Sequence, residues 1–333
     1  MKLESFEVPP QEPSRNEAEA ENESRAAKYL KKLRKIAGIG YMTAAVSLGG
    51  YGVKEFFENR QEYAKYADNY SPEQKARYGS LKKKLLTEVG EKGVRAIESG
   101  DRASFWNRRE KPEPTKISGF ESVGIDDKVF ERTWSDENGA YPRGWITGEV
   151  GNVRYIDSER TMPSQYGEEL KGEKASGESD GYSIEFYKLD ESIVKDGKET
   201  TFDVLDYTFG HELGHHNDWE TDRQSALVER AELLSMVIEL MRKDHPYKSL
   251  VRDFSGAPAY HEEIQGMEEH EKTRLQAKEY WAELCGDYFA APEILREVSP
   301  DDYAIVDSYV KKIDPSFDPI KAETLRNAAI AGK

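Results

Sequence analysis

Two histidines four residues apart, with a glutamate directly after the first, stand in the stretch FGHELGHHND at residues 209–218. On a helix, residues at this spacing share one face, with Cβ atoms about 5–6 Å apart. Two imidazoles so placed can both reach one zinc ion at about 2.0–2.1 Å. His211 and His215 have that spacing. Glu212 is turned about 100° around the helix from His211, which puts it beside a metal rather than on it. A carboxylate there can take a proton from water and pass it to a leaving amine. A pattern this short arises by chance in roughly one such chain in a hundred, so the helix around it has to support it. It does: Leu205, Phe209 and Leu213 recur every fourth residue as a core-facing stripe, with the two histidines on the other side. Gly210 and Gly214 lower helix propensity, and a glycine between the ligands lets another element approach closely. His216 is expected to be a surface or outer-sphere histidine, not a ligand.

Catalytic zinc usually takes three protein ligands and water. The continuation H-x-x-G-x-x-H is absent, because Asp218 and Thr221 occupy the positions of its glycine and last histidine. Farther along, residues 260–276 are charged all round and are expected to be solvated. The stretch KEYWAELCGDYFAAPEIL at 278–295 differs. Glu279, Glu283 and Asp287 form a carboxylate stripe, while Trp281, Leu284, Cys285 and Tyr288 cover the apolar side. Carboxylates on a buried helix are costly unless they are paired or bind metal. Glu279 as third ligand, with Glu283 accepting an N–H from a ligand histidine, satisfies that demand. A salt-bridged buried stripe is the competing explanation. Cys285 is expected to be core filler.

H-E-x-x-H on one helix followed by E-x-x-x-[DE] on a later one resembles the gluzincin zinc peptidases. HELGHH, KEYWAELCGDYF and PEIL are most similar to the branch typified by anthrax lethal factor. The resemblance covers roughly residues 180–315 and implies a zincin-like domain with one zinc ion on His211, His215 and Glu279. It further implies Glu212 as general base and Glu283 behind the ligands. It also implies an edge strand beside the ligand helix, to which substrate adds as an extended strand; YSIEFYKL is the stretch expected to supply it. One departure concerns the oxyanion donor. Lys272 stands where that branch has a tyrosine, which leaves Tyr260, His261 and His270 as alternatives.

The elements that must position these residues are legible in outline. GWITGEVGNVRYIDS (144–158) and GYSIEFYKL (181–189) have strand character, with a polar loop between them. From about Phe202 onward the pattern is nearly all helical, including a single apolar stripe over 222–244. Strands first and helices last predict an α+β fold, a small sheet followed by a mainly helical domain. Ser71 and Pro72 open one or two helices over 71–100, and EKPEPT at 110–115 marks the expected boundary.

The 333 residues carry a net charge of −16, with 37% hydrophobic and 34% charged side chains. That acidity argues against nucleic acid as a partner. A single cysteine rules out an intramolecular disulfide. The charge is uneven. Residues 1–24 have the composition of a disordered acidic tail. Residues 25–35 form a basic run with six positive and no negative charges. Residues 36–53 are uncharged and just long enough to be expected as a transmembrane helix. The basic flank places the N-terminus in the cytoplasm and the catalytic domain outside, and it suits anionic lipid. The expected organisation is therefore a tail (1–24), a juxtamembrane run (25–35), a membrane helix (36–53), a helical linker region (54–115) and a peptidase-like domain (116–333). The function expected is peptide-bond hydrolysis on a peptide or protein substrate. The alternatives are a membrane-anchored non-catalytic binding domain with a structural or vestigial zinc site, and a soluble cytoplasmic peptidase.

Overall fold

The computed structural model describes residues 70–99, 115–135, 138–146, 150–159, 177–179, 183–189, 191–219, 227–243 and 268–332. All of them belong to one compact unit, Ile39–Lys333. The tail, the basic run and the uncharged stretch 36–53 lie outside the described residues, as does most of the expected boundary at 110–115. Among the described residues, no helix is long and apolar enough to cross a membrane.

The chain is mainly helical with one small sheet, an α+β arrangement. Helix α1 (Pro72–Ser99) opens on a reciprocal cap, with Gln74 N donating to Ser71 Oγ and Ser71 N donating to Gln74 Oε1. Gly90 breaks it with φ 65°, a left-handed value that glycine tolerates, so α1 is two helical segments across a kink. Strand β1 (Lys116–Ser118) leads through a 3₁₀ turn to α2 (Asp127–Thr133). Strands β2 (Asn152–Ile156), β3 (Gly177–Ser179) and β4 (Ser183–Tyr187) complete the sheet. Its order is β1-β2-β4-β3, with β1, β2 and β4 parallel and β3 antiparallel at the edge. YSIEFYKL is therefore not the edge strand expected. It forms β4, paired on both sides, and the edge is the three-residue GES segment from the stretch expected to be a polar loop.

Helices α3 (Glu191–Asp196), α4 (Lys198–His216) and α5 (Leu227–Arg242) follow. The last four are α6 (Glu269–Ala290), α7 (Pro292–Val298), α8 (Pro300–Ile313) and α9 (Pro319–Ile330). Prolines at the first turns of α7, α8 and α9 favour helix starts, since their missing N–H has no intrahelical partner there in any case.

Helix α4 carries HELGH through the centre of the molecule. Leu205, Phe209 and Leu213 are fully buried, as their spacing predicts, but so are residues on nearly every other face. Phe209 stacks on Trp134 at 4.3 Å and meets Tyr141 edge-on at 5.2 Å, which joins the sheet side of the core to the C-terminal helices.

The described part of the expected linker packs as an integral element. Leu85, Val89, Val94 and Ile97 on α1 are buried. Ion pairs Arg77–Glu232, Lys84–Glu239 and Arg242–Glu88 run in step along α1 and α5, and Lys92–Glu271 ties α1 to α6. The apolar face of α1 is what holds it there, since exposed ion pairs contribute little on their own.

Candidate metal centre

The site begins with a close helix crossing. Helices α4 and α6 pack through small residues on both sides. A Cβ on Gly214 would lie 2.9 Å from Ala282 Cα and 3.0 Å from Cys285 Cβ. One on Gly210 would lie 3.2 Å from Gly286 Cα. The two glycines that cost α4 helix propensity thus let the α6 backbone come near enough for its carboxylates to reach the imidazoles. Cys285 is buried against Gly214 with its thiol pushed well up by burial, and its role is packing.

Across this crossing, His211, His215 and Glu279 each offer one ligand atom, all within 4.8 Å of one another. His211 Nε2 and His215 Nε2 are 3.2 Å apart. Glu279 Oε2 is 3.8 Å from His211 Nε2, and Oε1 is 3.7 Å from His215 Nε2. Tetrahedral bonds of 2.0–2.1 Å put ligand atoms about 3.3–3.4 Å apart, so the set fits zinc in size and in donor type. Burial, with His215 adding, holds His211 well below the usual histidine range, which favours the neutral imidazole a metal needs. At His215 burial acts the same way, but the carboxylates of Glu279, Glu212 and Asp218 outweigh it and leave its pKa raised.

Behind the ligands, Glu283 Oε1 stands 3.5 Å from His211 Nδ1, and Tyr207 OH donates to Glu283 Oε2. Burial pushes the Glu283 carboxyl up to about 7, against the Tyr207 hydrogen bond, with Glu279 adding to the rise. A pattern results: Glu279 spans His211 and His215, and one turn along α6 Glu283 spans Tyr207 and His211. Each carboxylate bridges two groups one turn apart on α4. Asp287, the third member of the stripe, is buried. Tyr207 escaped the sequence reading, although its place four residues before His211 is the signal that finds it.

Glu212 is fully buried beside the ligand pair. The β3 backbone passes close to it: a Cβ on Gly177 would lie 2.9 Å from Thr208 Cγ2 and 3.6 Å from Glu212 Oε1. His216 is not at the surface, contrary to one expectation. It is 2% exposed, with Nε2 at 2.6 Å from Ser179 Oγ.

The ligand helix is clamped from below by a group the sequence reading also missed. Asp206 accepts from Trp134 Nε1 and Tyr141 OH, both at 3.0 Å, and from Arg326 Nε at 2.9 Å. Arg326, 1% exposed, also donates to Ala140 O at 2.6 Å and to Phe289 O near the end of α6. One guanidinium from α9 therefore fixes α4 and α6 relative to each other.

Of the three oxyanion candidates, Tyr260 and His261 lie outside the described residues. His270 does not serve. Its ring packs against Gly90 of α1, and it precedes Glu279 by nine residues, about 13 Å along the helix axis.

The cluster makes Glu279 the candidate third ligand. Glu279→Ala is expected to weaken zinc binding by more than the roughly 10–100-fold typical of outer-sphere changes, whereas Glu269→Ala on the exposed start of α6 leaves it unchanged. Competition with a chromogenic chelator measures both. Equal affinity in Glu279→Ala and wild type would exclude it as a ligand. No protein-family model, curated protein or solved structure matches this chain.

Proposed function

We propose that the protein is a zinc-dependent endopeptidase of the gluzincin type, with a zincin-like arrangement of ligand helix, glutamate helix and edge strand. The observation that carries the reading is the convergence of His211, His215 and Glu279 with Glu212 buried alongside. Zinc, when bound by these three residues, supplies Lewis acidity that lowers the pKa of water and polarises a carbonyl. Glu212 takes the proton that water gives up and delivers it to the departing amine. Glu283, with Oε1 3.5 Å from His211 Nδ1, is placed to orient that ring, and Tyr207 orients Glu283 in turn. Strand β3 supplies the edge for substrate. Its inner side pairs with β4, and an extended peptide would add on its other side. Gly177 lets that strand run near enough to Glu212 to present the peptide to it.

Cleavage of casein by the purified full chain, abolished by a zinc chelator and restored by added zinc, tests the reading. Casein left intact by protein shown to carry stoichiometric zinc would overturn it in favour of a structural metal site.

A further inference from the structure

Ser179 and His216 lie outside the ligand set, yet they are buried together. Ser179 Oγ is 2.6 Å from His216 Nε2, with the two residues 5% and 2% exposed. Strand side chains alternate between faces, so Gly177 and Ser179 share one face of β3. That face is turned to α4: Gly177 meets Thr208 and Glu212, and Ser179 meets His216. Thr208, Glu212 and His216 fall every fourth residue, one stripe along the helix. Strand β3 therefore lies along this stripe, with Glu212 in the middle of it. The strand needs such support, because it is three residues long and pairs only with β4 among the described residues. A ladder that short fixes register weakly unless side chains pin it.

We infer that the Ser179–His216 hydrogen bond is a latch that fixes β3 along the ligand helix and so sets where an extended substrate strand lies relative to Glu212. Both are positioning residues, acting on substrate binding through the β3 backbone. The inference rests on the peptidase reading for its kinetic consequence, but not for its structural one. Losing the bond loosens the seat of β3 on α4, while His211, His215 and Glu279, which lie on α4 and α6, stay in place. Substrate must then order β3 as it binds, which raises KM and leaves the chemical step nearly untouched.

The test uses the full chain and a quenched fluorescent peptide spanning the casein bond that the wild type cuts fastest. Ser179→Ala removes only the hydroxyl; His216→Gln removes the ring with less loss of volume than alanine would cause. Each is expected to raise KM about tenfold, the scale of one lost buried hydrogen bond, with kcat within about threefold and zinc content unchanged. Amide hydrogen exchange supplies a readout independent of turnover: residues 177–187 should exchange faster in Ser179→Ala, with 204–216 unchanged. Exchange in β3 equal to wild type would overturn the latch, as would a fall in kcat at constant KM. If the wild type cuts no peptide, the peptidase reading fails, and the exchange measurement still decides the latch.

Discussion

Glu212→Gln is expected to keep its zinc and to lose proteolysis by about 10³-fold or more. The amide has nearly the shape of the carboxylate, so the fully buried pocket beside Gly177 is not disturbed sterically. What changes is proton handling. General acid–base groups contribute about 10²–10⁴-fold, and in the proposed mechanism Glu212 serves twice, first as acceptor from water and then as donor to the amine. No other side chain described at the site can replace it. Glu283 stands behind His211 and is held by Tyr207, and Glu279 lies in the cluster with His211 and His215. Zinc content by mass spectrometry of the native protein and casein cleavage by the same sample measure the two halves of the prediction. A variant retaining a tenth of wild-type activity would rule out Glu212 as the proton carrier. Loss of cleavage with zinc retained would disfavour the non-catalytic alternative, because a structural site makes no use of a base at this position.

Arg326→Ala is expected to destabilise the fold by about 3–5 kcal/mol, the range for removing one partner of a buried ion pair. The loss has three parts. Asp206 keeps Trp134 and Tyr141 as donors but loses its cation, and the carbonyls of Ala140 and Phe289 each lose a donor. The melting temperature should fall by roughly 6–20 °C at about 2–4 °C per kcal/mol for a body of this size. Asp206→Asn combined with Arg326→Met should recover much of that loss, since it removes the stranded charge and restores most of the volume. Thermal unfolding of the single and double variants decides the matter. An Arg326→Ala protein that melts within a degree of wild type would mean the clamp holds nothing.

The parts of the site legible in the sequence are those set by local spacing. His211, His215 and Glu212 are fixed by one helix, and Gly214 announced the close approach that α6 makes. Glu279 and Glu283 were found because acidic residues recur on an otherwise apolar helix. The contributions that escaped depend on chain segments brought together from far apart. Asp206 and Arg326 are separated by 120 residues, and neither has a local pattern that names the other. Strand β3 escaped for a different reason: Gly-Glu-Ser has no branched or aromatic residue, and its strand form comes from pairing with β4. His216 looked peripheral because its partner, Ser179, sits in that unrecognised strand. The stretch YSIEFYKL has the residue types of a half-buried strand, and these do not distinguish an inner position from an edge.

The clamp on Asp206 also bears on when the His211–His215–Glu279 cluster can close during synthesis. Ribosomes add about 5–20 residues per second, so the 120 residues between Asp206 and Arg326 take roughly 6–24 s to make. Glu279 is made well before Arg326, so all three ligands exist while the cation that fixes α4 against α6 does not. Through that interval Asp206 has no guanidinium to neutralise it, and a core helix carrying it gains little from burial. Stable closure of α4 against α6 therefore waits for α9. A nascent chain built this way locks its candidate metal centre into place only once the last described helix has been made.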